Sequence, residues 1–170
     1  MNLYLIRHGE AVPAGGTIIH DSERVLTDRG RDDAELVGSM LSRIHPSITL
    51  ILTSPLVRAV ETGQIIAAAL QSKPAVRRAD SLAPGFRHGI LLNELTALKE
   101  ENIIAVGHQP DMSNFIAYLI AESSAGVAMA TCSVAFLEVS HDSTEHHARL
   151  RWLVTPELIR HFHTMLKESE

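Results

Sequence analysis

Short apolar runs recur along this chain, at residues 3–6, 48–53, 103–106, 134–139 and 150–154, with a weaker extended piece at 74–78. Runs of this length suit buried strands better than helices. Between them the apolar spacing becomes helical. Val37, Met40, Leu41 and Ile44 share one face within 28–44. Leu56, Val60, Gly63, Ile66 and Leu70 mark a second helix, and Met112, Phe115, Ile116, Leu119 and Ile120 a third. A last helix is predicted over 156–167. Alternation of this kind buries its apolar faces as an α/β sandwich around a mostly parallel sheet. The last two runs are separated only by 140–147 and read as an antiparallel hairpin. With 170 residues and no repeat or linker, the expectation is one domain over 1–170.

Three strand ends carry the chemistry. The first run stops at Arg7-His8-Gly9-Glu10, where the Gly suits a sharp turn. Arg offers forked donors that match phosphate oxygens. A neutral His nitrogen can attack phosphorus and form a covalent phospho-enzyme. After the second run comes Ser54-Pro55-Leu56-Val57-Arg58-Ala59. Ser54 is the expected N-cap there and Pro55 the first helical residue. Arg58 then falls in the opening turn, where a cation opposes the macrodipole unless an anion binds beside it. After the fourth strand, Gly107-His108-Gln109-Pro110 places a second His before a helix start. His108 there can donate to a phosphoryl oxygen as charge develops.

Lesser candidates surround these. Thr27 is the expected N-cap of the first helix, and the preceding Asp21 to Leu26 contains Arg24. Arg24 is a candidate phosphate ligand; Asp21 and Glu10 are candidate acid–base groups. Each also has a plain structural reading as a loop contact. Residues 11–21 form a long loop placed to cover a site at the strand ends. His141, Asp142, Glu145, His146 and His147 look like a metal tract by composition. Their spacing matches no metal motif, and polar residues are ordinary in a hairpin loop. His161 and His163 are expected on the surface.

Composition removes several classes. The net charge of −5 gives no support for a nucleic-acid or anionic-membrane partner. Cys132 is the only cysteine, which rules out an intrachain disulfide and a multi-cysteine zinc site. No run approaches the ~20 apolar residues of a membrane span, and the first residues have no signal-peptide pattern. A cytoplasmic protein is expected.

The fragments Leu5 to Ala11, Arg24 to Gly30, Ser54 to Thr62 and Val106 to Pro110 together resemble the histidine phosphatase superfamily, also called phosphoglycerate mutase-like. Among its branches the likeness is to the short SixA-type phosphohistidine phosphatases. The fragments stand in the family's order and span about two-thirds of the chain. The resemblance implies a three-layer α/β/α fold with a mostly parallel sheet of about six strands, and the first and fourth major strands as neighbours. It further implies His8 as nucleophile, with Arg7, Arg58 and His108 neutralising the phosphoryl oxygens. Water would then hydrolyse the phosphohistidine. No metal or other cofactor is implied, because fixed cations take over charge stabilisation.

Two departures from the family pattern bear on substrate. Larger members carry an acidic proton donor in an insertion after the second helix, but here 73–89 is short and Asp80 has no motif around it. Glu61-Thr62-Gly63 replaces a common Gln-Thr-Ala, a change expected to affect packing more than chemistry. An alkyl phosphate gains ~100–10,000-fold from a general acid. Protonated phosphohistidine releases neutral imidazole and needs less help. The expectation is therefore a metal-independent phosphatase acting on phosphohistidine, with a histidine-containing phosphotransfer protein as partner. A phosphatase of small phosphate esters is the alternative, followed by a non-catalytic phosphate- or phosphoprotein-binding module.

Overall fold

The computed structural model describes residues 1–15, 20–44, 47–121, 126–140 and 148–167. Its six strands form one sheet: β1 (Asn2–Arg7), β2 (Leu50–Thr53), β3 (Ala75–Arg78), β4 (Asn102–Gly107), β5 (Val134–Val139) and β6 (Ala148–Val154). Their order is β3-β2-β4-β1-β5-β6. Strands β3, β2, β4 and β1 run parallel, whereas β5 is antiparallel to both β1 and β6. The mostly parallel sheet and the closing hairpin agree with the sequence pattern.

Strand β1 lies between two neighbours, which explains its unbroken apolar run. Leu3, Tyr4, Leu5 and Ile6 are all fully buried. Alternate side chains go to opposite faces. Leu3 and Leu5 join Leu52, Ala105, Leu91, Leu95, Phe115 and Leu119 on one side. Tyr4 and Ile6 join Ile51, Val106, Val37, Leu41, Ala59 and Ile66 on the other. Burying each large aliphatic side chain contributes about 1.5–3 kcal/mol. The two cores make the sheet the middle layer of an α/β/α sandwich.

Helices α1 (Asp28–Ile44), α2 (Val57–Ala69) and α5 (Pro156–Lys167) pack on the second core. Helices α3 (His88–Thr96) and α4 (Asp111–Ile120) cover the first. Thr27 caps α1 as expected, its Oγ1 accepting from the Gly30 N–H at 3.0 Å. On α5, His161 and His163 are exposed as expected, and Arg160 pairs with the buried Asp33 of α1.

Two expectations need correction. Ser54 does not cap α2, and Pro55 is not its first residue. The helix starts at Val57, behind an extended Leu56 that supplies no side-chain cap. The Ser54 hydroxyl accepts instead from the Leu56 N–H at 3.4 Å, in a local turn ahead of the helix. Helix α3 was not foreseen at all. Its nine residues carry only Leu91, Leu92 and Leu95 as a buried set, too short a period to stand out. The tract His141, Asp142, Glu145, His146 and His147 lies outside the described residues. Among those described, no helix is long and apolar enough to cross a membrane.

Candidate active site

The parallel pairing of β1 with β4 sets Arg7 opposite Gly107. The next residue on each strand is a histidine. Both rings are buried, with centroids 5.0 Å apart. The His8 backbone N–H donates to Gly107 O at 3.0 Å, which locks the two strand ends together. Beyond His8 the chain crosses the start of α1 at close range. A Cβ on Gly9 would stand 2.7 Å from Gly30 O, and one on Gly30 would stand 2.1 Å from Glu10 O. Close approach, rather than a left-handed turn, is what requires Gly9.

His8 Nδ1 lies 2.7 Å from Gly9 O, an acceptor only, so Nδ1 carries the proton. Nε2 then has a lone pair, and it accepts from Arg58 Nε at 3.1 Å. Burial first, and then the guanidinium groups of Arg58, Arg7 and Arg24, push the His8 pKa down to about 4, against the opposing bond to Gly9. The ring is neutral at pH 7, with its lone-pair nitrogen Nε2 directed at a cation.

Arg58 is itself buried in the first turn of α2. Its Nη1 donates to Asp21 O at 2.7 Å and its Nη2 to Asp21 Oδ2 at 2.9 Å. An anion beside this helix start is what the sequence called for, and in this arrangement a carboxylate supplies it. Hydrogen bonds from Arg24 and then Arg58 hold Asp21 below the usual carboxylate range. Asp21 is thus an ionised partner of Arg58, not a stored proton. Arg24 is committed to the loop: Nε donates to Val12 O at 2.6 Å, Nη1 to Asp21 Oδ1 at 2.9 Å, and Nη2 to Ala11 O at 3.4 Å. Glu10 turns away toward α1, where Oε2 accepts from the Thr27 hydroxyl at 2.9 Å.

Arg7 donates from Nη1 to Met129 O at 2.9 Å, while its buried Nε has no partner among the described residues. Burial lowers its pKa from the usual arginine value. The chain before β5 wraps this corner, with Cys132 N–H shared between Arg7 O at 3.0 Å and His8 O at 3.2 Å. His108 Nε2 lies 2.7 Å from Ser54 Oγ, and Nδ1 is buried without a partner among the described residues. Burial, followed by His8 and Arg58, takes the His108 pKa down to about 3.

The sequence pattern groups His8, Arg7, Arg58 and His108, and the fold gathers them at the carboxyl ends of the central strands β1 and β4, beside the start of α2. It missed three supports. Thr62 Oγ1 accepts from Gly9 N at 3.0 Å and donates to Arg58 O at 2.7 Å, joining the chain after His8 to Arg58. Ser54 touches His108. The Met129 carbonyl holds Arg7. Glu61 behaves as a packing residue: it accepts from Leu26 N at 2.7 Å and pairs with Arg31 at 3.1 Å. A Cβ on Gly63 would lie 2.5 Å from Thr53 Cγ2, so this Gly lets α2 sit close on β2. Among the described residues, no three His, Cys, Asp or Glu side chains gather as a metal site.

A protein-family model described as the histidine phosphatase superfamily (branch 1) matches residues 3–82, which include His8, Arg24 and Arg58. The chain belongs to the histidine phosphatase superfamily. An uncharacterised protein of Picosynechococcus is 36% identical over 118 residues, 68% of this chain and 70% of that protein. The phosphohistidine phosphatase SixA of Escherichia coli is 28% identical over 129 residues, 74% of this chain and 76% of that protein. A solved structure of the protein histidine phosphatase SixA with tungstate superposes at a TM-score of 0.81, with 22% identity, covering 94% of this chain and 99% of that one. The superfamily's phosphoglycerate mutase-like fold is the fold described above. The protein is a phosphatase of the histidine phosphatase type.

Proposed function

We propose that the protein removes the phosphoryl group from phosphohistidine on a phosphotransfer protein, through a phosphohistidine formed on His8, without a metal ion. The observation that carries this reading is the tautomer of His8. Gly9 O takes the Nδ1 proton, so Nε2 keeps a lone pair in a neutral ring surrounded by guanidinium groups. That is a nucleophile prepared for an anionic phosphoryl group.

In the first step Nε2 attacks phosphorus and the bond from phosphorus to the substrate nitrogen breaks. The substrate imidazole, protonated before cleavage, departs neutral. Arg58 Nε transfers its hydrogen bond from His8 Nε2 to a phosphoryl oxygen, while Arg7 and His108 meet the others. In the second step water attacks phosphorus, its proton goes to the phosphate product, and neutral His8 is restored. Two further points support the substrate class. Asp21 is held as an anion by Arg24 and Arg58, so a leaving group that needs no acid suits this site. The similar protein of Escherichia coli is named for phosphohistidine.

The test is loss of label from a phosphorylated histidine phosphotransfer domain, with chelator present, comparing wild type with His8→Ala. Loss with wild type alone is expected. Equal background loss from both would overturn the substrate assignment and turn attention to small phosphate esters. Loss of wild-type activity with chelator, restored by a divalent ion, would overturn metal independence.

A further inference from the structure

We propose that Ser54 is a positioning residue for this reaction: its hydroxyl donates to His108 Nε2, fixes the Nδ1–H tautomer of that ring, and leaves Nδ1–H for a phosphoryl oxygen. The proposal rests on the functional reading above for its catalytic meaning, but the tautomer itself can be tested without turnover.

Ser54 is fully buried at the end of β2, and His108 is 3% exposed. Ser54 Oγ has two neighbours: the Leu56 N–H, which donates to it at 3.4 Å, and His108 Nε2 at 2.7 Å. A hydroxyl has one hydrogen to give. If Ser54 gives it to Nε2, both groups are satisfied and the neutral ring carries its proton on Nδ1. If instead Nε2–H donated to Ser54, the hydroxyl hydrogen would have no acceptor among the described residues. Nδ1 would then be a bare lone pair with no hydrogen to offer an oxygen. Buried donors are seldom left unmade. The first arrangement leaves one unmatched group, Nδ1–H, and in the proposed reaction this group meets the phosphoryl oxygen.

As donor to His108 the Ser54 hydroxyl still accepts from the Leu56 N–H, ahead of a helix that begins at Val57. Ser54 is held in place by its own N–H, which donates to Val106 O at 2.9 Å, two residues before His108. The positioning contact therefore joins β2 to β4 at the strand ends.

Long-range ¹H–¹⁵N correlation of the histidine rings near pH 7 tests this directly, with His108 assigned by its loss in His108→Gln. Wild type should show protonated Nδ1 and unprotonated Nε2 at His108. Ser54→Ala should move the proton toward Nε2 and lower kcat by about 10–100-fold, less than the full loss of an oxyanion donor, with KM within about threefold. Ser54→Thr keeps the hydroxyl and should restore both signals. Protonated Nε2 in wild type would overturn the proposal, and that result needs no variant to fold. An unchanged tautomer and kcat in folded Ser54→Ala would also overturn it. Absence of turnover in wild type would overturn the functional reading while the ring spectra still decide the tautomer.

Discussion

The ends of β1 and β4 present the same side chain in two settings. After β1, the partner of the ring is a backbone carbonyl on Nδ1, and the free lone pair falls on Nε2. After β4, the partner is a serine hydroxyl on Nε2, and the unmatched atom is Nδ1. Both rings are neutral and buried. In the proposed reaction one gives electrons to phosphorus and the other gives a hydrogen bond to oxygen. The difference lies in the residue touching the opposite nitrogen, not in the histidine.

This contrast can be broken by substitution, beginning with the larger effect. His8→Ala should lower kcat by about 10⁴–10⁶-fold, the scale of losing a nucleophile, and should abolish labelling of the protein by phosphorylated substrate. His108→Gln should cost about 10²–10³-fold, the scale of one oxyanion donor, while rapid-quench labelling still finds phosphate on His8. Equal losses with no label in either variant would erase the distinction between the two rings.

Acid sharpens what the two rings share. Their folded pKa values, about 4 and about 3, lie below the ~6.5 of an unfolded histidine. Below about pH 6.5 the unfolded chain therefore binds more protons than the folded one. Stability from these groups is fully present above that pH and is lost as pH falls toward 4 and then 3. At its steepest the loss approaches two protons, about 3 kcal/mol per pH unit. Denaturant titrations between pH 7 and 4.5 should show His108→Gln with roughly half that slope. The smallest effect concerns Arg58. Asp21→Asn removes the charge that competes with a bound oxoanion, so inorganic phosphate should inhibit about two- to fivefold more tightly, the scale of one exposed ion pair. Weaker inhibition would instead make Asp21 a support that holds Arg58 in place.

The sequence carried the four central residues because each stands at a strand or helix end, where a change of pattern is visible. It carried the sheet because β1 and β4 have unbroken apolar centres at 3–6 and 103–106, and β5 is broken only by Glu138. The supports were hidden for different reasons. Met129 acts through its carbonyl, which every residue possesses. Ser54 followed by Pro55 has the local form of a helix cap, and only the β2–β4 pairing shows that its hydroxyl is engaged elsewhere. Thr62 lies mid-helix, and its bond to Gly9 crosses 53 residues of sequence. Helix α3 is short and has Gly89 as its second residue, so propensity and period were both weak.

The sheet order also dictates a schedule. Strand β1 is made first, yet both of its neighbours, β4 and β5, lie beyond residue 101. A growing chain can assemble β2, β3 and α2 while its opening strand still lacks edges to join. Pairings of such long sequence separation form slowly. His8 therefore leaves the ribosome well before His108 and Met129, which stand beside it and Arg7 in the folded chain. A nascent or truncated chain would carry His8 without the partners that make it reactive, so phosphatase activity becomes a sign that the whole sheet has closed.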